Sequence, residues 1–188
     1  MRLILGVIFT LLLIVTGSFP ATACELIDFE GHCYMAVPMD VRISWEEARD
    51  LAAAHAPAAH LVTISSEAEN DFVFGLVDKA AFWFTNASHN AMGPWLGGYQ
   101  MVGHTWQWII GEPWGAFTAW SACEPNNPGA VDCGLHFFSL AAGVHSSAWN
   151  DERTDTPLRG YIVEFDEPCD TITEDAPASW GVLKAQYR

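Results

Sequence analysis

The feature that most constrains this fold is a change in the spacing of apolar residues, from helical spacing near the start of the chain to short strand-like runs later. Ser44 with Glu47 and Ser66 with Glu69 each have capping-box spacing, and each pair is followed by apolar residues at helical intervals. From Trp95 onward, short strand-like runs alternate with Gly, Pro and Asn and show no helical period. We therefore expect two early helices followed by short antiparallel strands and long loops, which is an α+β domain.

The expected strands are short runs rich in β-branched, aromatic and other apolar residues. We expect them at residues 60–64, 106–110, 133–140, 145–149 and 160–165. Residues 78–94 have no clear period and are expected to be irregular.

The first 23 residues have the pattern of a signal peptide. Arg2 precedes an apolar run at residues 3–15, and Ala21-Thr22-Ala23 has the small-x-small pattern of a cleavage site. The run is too short to span a bilayer, and no later stretch is long enough. We expect a secreted chain beginning at Cys24. Lipid attachment to Cys24 is the alternative, although the preceding residues lack the usual aliphatic position.

The composition after that segment suits one exported domain. We expect this domain at residues 24–168, bounded by Pro168, with a tail at residues 169–188. Apolar residues make up 51% of the chain, and nine Trp are among them, which is enough for a real core. The net charge of −15 argues against partners rich in phosphate, so we expect no nucleic-acid binding.

Two short motifs carry hard oxygen donors. Glu124-Pro125-Asn126 lies in a long loop, and Asn150-Asp151 follows Trp149 near the end of an expected strand. Calcium takes six to eight such donors. A cis Glu124–Pro125 bond would let both flanking side chains point the same way. A bare Glu-Pro-Asn triplet is otherwise only a turn.

The order of motifs around these donors closely resembles the C-type lectin domain family, over residues 24–165. The Glu-Pro-Asn form and the ending of the last strand resemble its long-form, bacterial-like members. Two helices are followed by these motifs in order: Trp95-Leu96-Gly97-Gly98, Trp106 and Trp108, Gly111-Glu112-Pro113, Trp120, Glu124-Pro125-Asn126, Cys133, Trp149-Asn150-Asp151 and Gly160-Tyr161-Ile162-Val163-Glu164.

The resemblance implies a lectin-like fold with a long calcium- and sugar-binding loop region. It implies that Glu124, Asn126, Asn150 and Asp151 bind Ca²⁺ and also hydrogen-bond two hydroxyls of a sugar. The Glu-Pro-Asn form implies mannose, glucose or fucose-type glycans as partners. Because single lectin sites bind weakly, assembly into an oligomer would raise avidity.

The cysteines allow more than one arrangement. Five are present after the signal peptide, so at least one must lack an intramolecular partner. The resemblance implies a bond between Cys24 and Cys33. Cys123 is unusual for the family and is in a position to bond with Cys133, which would leave Cys169 as the odd thiol. The family's bond between the first helix and the last strand is replaced by Ala52 and Val163.

One departure bears directly on calcium. The family usually has an acidic ligand two residues before Cys133, where this chain has Val131. Either Asp132 turns inward as a fifth ligand, or the site is weaker by one ligand. The second possibility favours an alternative function: a calcium-independent module that binds proteins or surfaces. An enzyme is not expected, since the chain has no Gly-x-Ser-x-Gly, His-Glu-x-x-His or phosphate-loop motif.

Overall fold

The computed structural model describes residues 25–127 and 131–172. The predicted signal peptide, Cys24 and residues 173–188 of the predicted tail lie outside these ranges.

Within the described ranges, two helices and nine strands form an α+β domain, which confirms the predicted fold class. The strands are β1 (Ile27–Phe29), β2 (His32–Ile43), β3 (Ala59–Leu61), β4 (Phe84–Thr85), β5 (Ala91–Gln100), β6 (Gln107–Trp108), β7 (Cys133–Ser139), β8 (Trp149–Arg153) and β9 (Leu158–Phe165), and the helices are α1 (Trp45–Ala53) and α2 (Glu67–Val77).

Both helices begin where their capping residues predict. At α1, the Ser44 side chain accepts from the Glu47 backbone N–H, and the Glu47 carboxylate accepts from the Ser44 N–H, so the capping box is complete. At α2, the Ser66 hydroxyl accepts from the Glu69 N–H. The Glu69 carboxylate instead accepts from Ser65, so only half of the second capping box forms.

The sheet is built around its last strand. Its main order is β1-β2-β9-β5-β7-β8, with β3 also paired to β9 and β4 and β6 also paired to β5. The pairings are antiparallel except for one parallel contact between β5 and β9, at Trp95 and Tyr161. The strand motif Trp149-Asn150-Asp151 lies on β8, at the far edge of this order, and the loop motif Glu124-Pro125-Asn126 precedes β7.

Two buried apolar clusters account for the domain's core. One contains α1 and includes Ala52 and Val163, which are both fully buried. The resemblance implied that these two residues replace a disulfide, and both side chains pack in the core. The other cluster contains α2, Trp108 and Trp149, with further aromatic residues of the long loop packed against it. Trp106 and Trp120 are among these packed residues and are only partly buried.

Two long strands were missed by the sequence reading. β2 was not predicted, and β5 begins at Ala91, inside the segment expected to be irregular. β5 contains Pro94 and three glycines, which normally argue against a strand. The ladder with β7 shifts register on both sides of Trp95, which accommodates the proline. A Cβ on Gly97 would lie 2.5 Å from the Leu61 carbonyl oxygen, so this glycine permits a close backbone approach.

The observed disulfide differs from the expected bonds. Cys33 is bonded to Cys169, with a Cα–Cα distance of 4.9 Å, so the predicted Cys24–Cys33 bond is wrong. The sheet explains this pairing, because Cys33 lies opposite Phe165 on β9 and the chain then turns back toward β2. Residues 169–172 are thereby held against the first core cluster, and the packed domain extends past the predicted limit at residue 168.

The predicted Cys123–Cys133 bond is also absent from the described residues. Cys123 is exposed on a turn, with a φ of 69°, whereas Cys133 is fully buried at the start of β7. Both thiols are free. Burial raises the pKa of Cys133 to about 11, so its thiol stays protonated at neutral pH.

Candidate functional site

The strand motif Trp149-Asn150-Asp151 is fixed at the start of β8. It pairs with β7, where His136 lies opposite Asn150. The indole N–H of Trp149 donates to the Asn70 side-chain oxygen on α2 at 2.8 Å, and both residues are buried. The second helix therefore anchors the strand immediately before the predicted ligands.

The loop motif is brought to this strand by backbone hydrogen bonds. The Trp149 N–H donates to the Ala119 carbonyl at 2.7 Å, and the Ser121 N–H donates to the Trp149 carbonyl at 2.8 Å. The Glu124 N–H then donates to the Ser121 carbonyl, which turns the chain into the motif. The Glu124–Pro125 bond is cis, the form that would let both flanking side chains point the same way.

The two motifs meet at Asp151, which is 1% exposed. Its carboxylate oxygens accept from the backbone N–H groups of Asn126 and Asn127, both at 2.9 Å. The Asn126 side-chain amide donates to Glu124 Oε1 at 3.0 Å. The structure therefore brings Glu124, Asn126 and Asp151 together, with Asn150 directly beside them on β8.

The two carboxylates of this group repel one another. Burial and the neighbouring Asp151 carboxylate raise the pKa of Glu124 to about 7. Glu124 Oε2 is buried and has no hydrogen-bond partner among the described residues. An unpartnered carboxylate oxygen beside a second carboxylate suits a divalent cation, so these donors fit the calcium ion that the sequence predicts.

The Asn150 amide has a defined orientation. Its Nδ2 lies 3.0 Å from His136 Nε2 and 3.0 Å from the Asp151 carbonyl oxygen. Both of these neighbours accept hydrogen bonds, so the nitrogen faces them and Oδ1 lies on the other side of the amide. An amide oxygen is the atom that calcium accepts as a ligand.

Asp132 uses one carboxylate oxygen for a contact outside the group formed by Glu124, Asn126, Asn150 and Asp151. Its Oδ1 accepts from the Val102 backbone N–H at 2.8 Å, which fastens the exposed turn after β5. The Asp132 carbonyl also accepts from Thr154 at 3.2 Å, so the residue links two other segments. These bonds disfavour its predicted role as a compensating ligand.

Two site residues were missed by the sequence reading. Asn127 donates its side-chain amide to the Asp151 carbonyl at 2.9 Å, and His136 faces Asn150. A second Asn directly after Glu-Pro-Asn is a signal that could have identified Asn127. His136 carries no such signal, because its role depends on the pairing of β7 with β8.

A second acidic cluster lies around β2 and β9, away from the edge strand β8. His32, Glu164 and Asp166 have possible ligand atoms within 4.8 Å of one another. His32 Nδ1 donates to Glu164 Oε1 at 2.7 Å, and Thr63 donates to Glu164 Oε2 through its N–H and its hydroxyl. Since donors already satisfy both oxygens of Glu164, this cluster is explained as a structural ion-pair network.

None of the helices in the described ranges is long and apolar enough to cross a membrane. This finding concerns only those residues.

Comparisons with known proteins identify the family. The family model described as Lectin C-type domain matches residues 41–162. Lectin BRA-3 of Megabalanus rosa is 31% identical over 125 residues, which are 66% of this chain and 66% of that protein. Hepatic lectin of Gallus gallus is 31% identical over 124 residues, which are 65% of this chain and 50% of that protein. The aligned part thus spans only half to about two thirds of these relatives.

A solved structure supports the fold. The C-type lectin domain of murine dendritic cell inhibitory receptor 2, crystallised in complex with N-glycan, is 23% identical to this chain. The match covers 74% of this chain and 94% of that domain, with a TM-score of 0.53. Since the family model matches more than half of the sequence, the chain belongs to the C-type lectin domain family.

Proposed function

We propose that this protein is a secreted, calcium-dependent carbohydrate-binding lectin. Glu124, Asn126, Asn150 and Asp151 are its calcium ligands and also hydrogen-bond the sugar. These four side chains would hold the calcium ion, which would offer further coordination positions to two adjacent sugar hydroxyls. The carboxylates accept hydrogen bonds from those hydroxyls, and the Asn126 amide can donate one.

The observation that carries this proposal is the buried Glu124 Oε2, which has no hydrogen-bond partner within residues 25–127 and 131–172 and lies beside the Asp151 carboxylate. In the metal-free protein this arrangement is unfavourable, because two negative groups share a space that lacks a compensating cation. Membership of a lectin family and the lectin names of the relatives support the same conclusion.

The glycans we propose are of the mannose, glucose and fucose type, bound by a long-form, bacterial-like member with the Glu-Pro-Asn motif. A paired substitution tests this preference. Glu124→Gln with Asn126→Asp exchanges the charged and amide positions, and we expect binding to shift toward galactose. A glycan array, run with calcium and with chelator, measures the shift. Unchanged mannose binding in the double variant would contradict the proposed site.

Calcium dependence is tested by thermal unfolding with calcium and with chelator. A ligand that binds only the folded state raises its stability, by about 2.7 kcal/mol at a concentration one hundred times the Kd. Asp155→Asn is the control, because Asp155 is an exposed carboxylate that pairs with Arg153. We expect the control to keep the calcium response. A wild-type melting temperature that is equal in calcium and chelator would remove the metal from the proposal.

A second candidate is a calcium-independent module that binds proteins or surfaces. The position of Asp132 favours it, since this carboxylate holds the Val102 turn and does not replace the ligand lost at Val131. The same experiment separates the candidates: this module would melt identically in calcium and chelator and would bind no glycan on the array.

The proposal extends to the ends of the chain. We propose that residues 1–23 are a signal peptide and that the lectin domain begins at Cys24, with a short tail after the disulfide. Mass spectrometry of the exported protein would identify the first residue and would also detect a lipid on Cys24.

Because single sites bind weakly, we propose that the protein gains avidity by assembling into oligomers, which light scattering can test.

A further inference from the structure

His136 is a polar residue in an apolar environment. It lies on β7 and is 0% exposed. Its ring meets Trp95 and Phe138 edge-on, with ring centroids 5.7 and 5.9 Å away. A ring buried in this way costs stability unless both nitrogens have hydrogen-bond partners.

The neighbours of His136 fix its tautomer. Nδ1 lies 2.7 Å from the Phe137 carbonyl oxygen, which only accepts, so Nδ1 carries the proton. A charge on a ring buried among aromatic side chains would be strongly unfavourable, so the imidazole is neutral. Nε2 therefore has a free lone pair, and Asn150 Nδ2 donates to it at 3.0 Å.

This lone pair restricts the Asn150 amide. If the amide were reversed, its oxygen would face both His136 Nε2 and the Asp151 carbonyl, which are acceptors. Two acceptor–acceptor contacts in a buried site are strongly unfavourable. Only the observed orientation leaves Oδ1 available, and calcium binds amide oxygens but not amide nitrogens.

We infer that His136 is a positioning residue of the proposed calcium site, which orients Asn150 so that Oδ1 is presented to the cation. The inference rests on the proposed function. His136 lies outside both sequence motifs, on β7, the strand that pairs with β8.

Calorimetry with calcium alone tests the inference on the full oxidised chain. His136→Leu removes the acceptor for Asn150 and replaces the ring with an apolar side chain of similar size. We expect its calcium affinity to be at least about tenfold weaker, because residues that orient metal ligands contribute to affinity on that scale. His136→Gln can offer Oε1 as an acceptor to Asn150, so it should recover most of that loss.

The control is His145→Leu. His145 stacks on Trp83 and donates to Asp78, and it contacts no proposed ligand. We expect this variant to keep wild-type calcium affinity, whatever stability it loses. If folded His136→Leu binds calcium with the wild-type Kd, the inference is wrong although the proposed function stands. If the wild type binds no calcium, the proposed function itself fails.

A measurement on the wild type covers the case in which His136→Leu does not fold. Nitrogen NMR of the imidazole at pH 7 should show a neutral ring with the proton on Nδ1, before and after calcium is added. A proton on Nε2 would exclude donation from Asn150 and overturn the inference.

Discussion

The two acidic clusters, one around β2 and β9 and the other beside β8, differ in how their carboxylates are satisfied. Glu164 is 2% exposed, and its oxygens accept from Thr63 and His32. Glu124 is less buried, yet its Oε2 has no partner among the described residues and it lies against Asp151. Hydrogen-bond donors satisfy the Glu164 oxygens, whereas no positively charged side chain of the described residues compensates Glu124.

This difference separates a structural carboxylate from a ligand-binding one. Burial alone would rank Glu164 first as a functional residue. The hydrogen-bond partners reverse that ranking. A carboxylate whose oxygens accept hydrogen bonds stabilises the fold without a ligand, whereas a carboxylate without such partners is stabilised when a cation or a proton binds it. Four predictions test the contrast, from the largest expected effect to the smallest.

Glu164→Ala should lower the free energy of unfolding by about 3 kcal/mol, since it leaves the buried Thr63 N–H without its acceptor and breaks the bond to His32. Urea unfolding in calcium and in chelator measures this loss. We expect the same loss in both conditions. A loss confined to the calcium sample would mean that Glu164 acts through a metal.

Glu124→Gln should show the opposite behaviour. In chelator, stability should be unchanged or slightly higher, because the repulsion with Asp151 is removed. The calcium-induced gain, about 2.7 kcal/mol at one hundred times the wild-type Kd, should disappear. Paired urea titrations measure both quantities. If the variant kept the full gain, Glu124 would not be a ligand.

The stability of the metal-free protein should depend on the ionisation of Glu124. Its folded pKa is about 7, raised from 4.5, so the folded state holds this proton more tightly than the unfolded state. The contribution of Glu124 to stability is therefore full below pH 4.5 and is lost as the pH rises through about 7. The stability of wild type minus that of Glu124→Gln, measured in chelator, should fall across this window. A flat difference would show that Glu124 does not hold its proton.

Asp132→Asn should have the smallest effect. An Asn oxygen can still accept from the Val102 N–H, so the turn is kept while the charge is removed. We expect the calcium Kd to change by less than about threefold, compared with at least about tenfold for loss of a true ligand. Calorimetry distinguishes the two values, and a tenfold loss would restore Asp132 as a ligand.

The sequence predicts those parts of the molecule that depend on neighbours along the chain. The caps at Ser44 and Ser66 are decided by residues three positions away, and both helices start there. The cis bond before Pro125 is similarly local. The ligand motifs were identified because their residue types match a family pattern, and the structure brings both motifs to Asp151.

The parts that were missed depend on contacts between distant residues. β5 tolerates Pro94 because the ladder shifts register there, which local propensity does not reveal. The Cys33–Cys169 bond follows from the pairing of β2 with β9, across 136 positions. His136 matters only because Asn150 lies opposite it, and Asp132 is held by Val102 from 30 positions away.

The place of β9 has a consequence for how the protein is made. This last strand lies between β2 and β5 and also pairs with β3, so until residues 158–165 have left the ribosome β3 has no partner and β2 and β5 each have one open edge. Cys33 must likewise wait for Cys169. The domain can therefore close only after nearly all of it has been synthesised, and a product cut short before β9 would expose unpaired strand edges that favour aggregation.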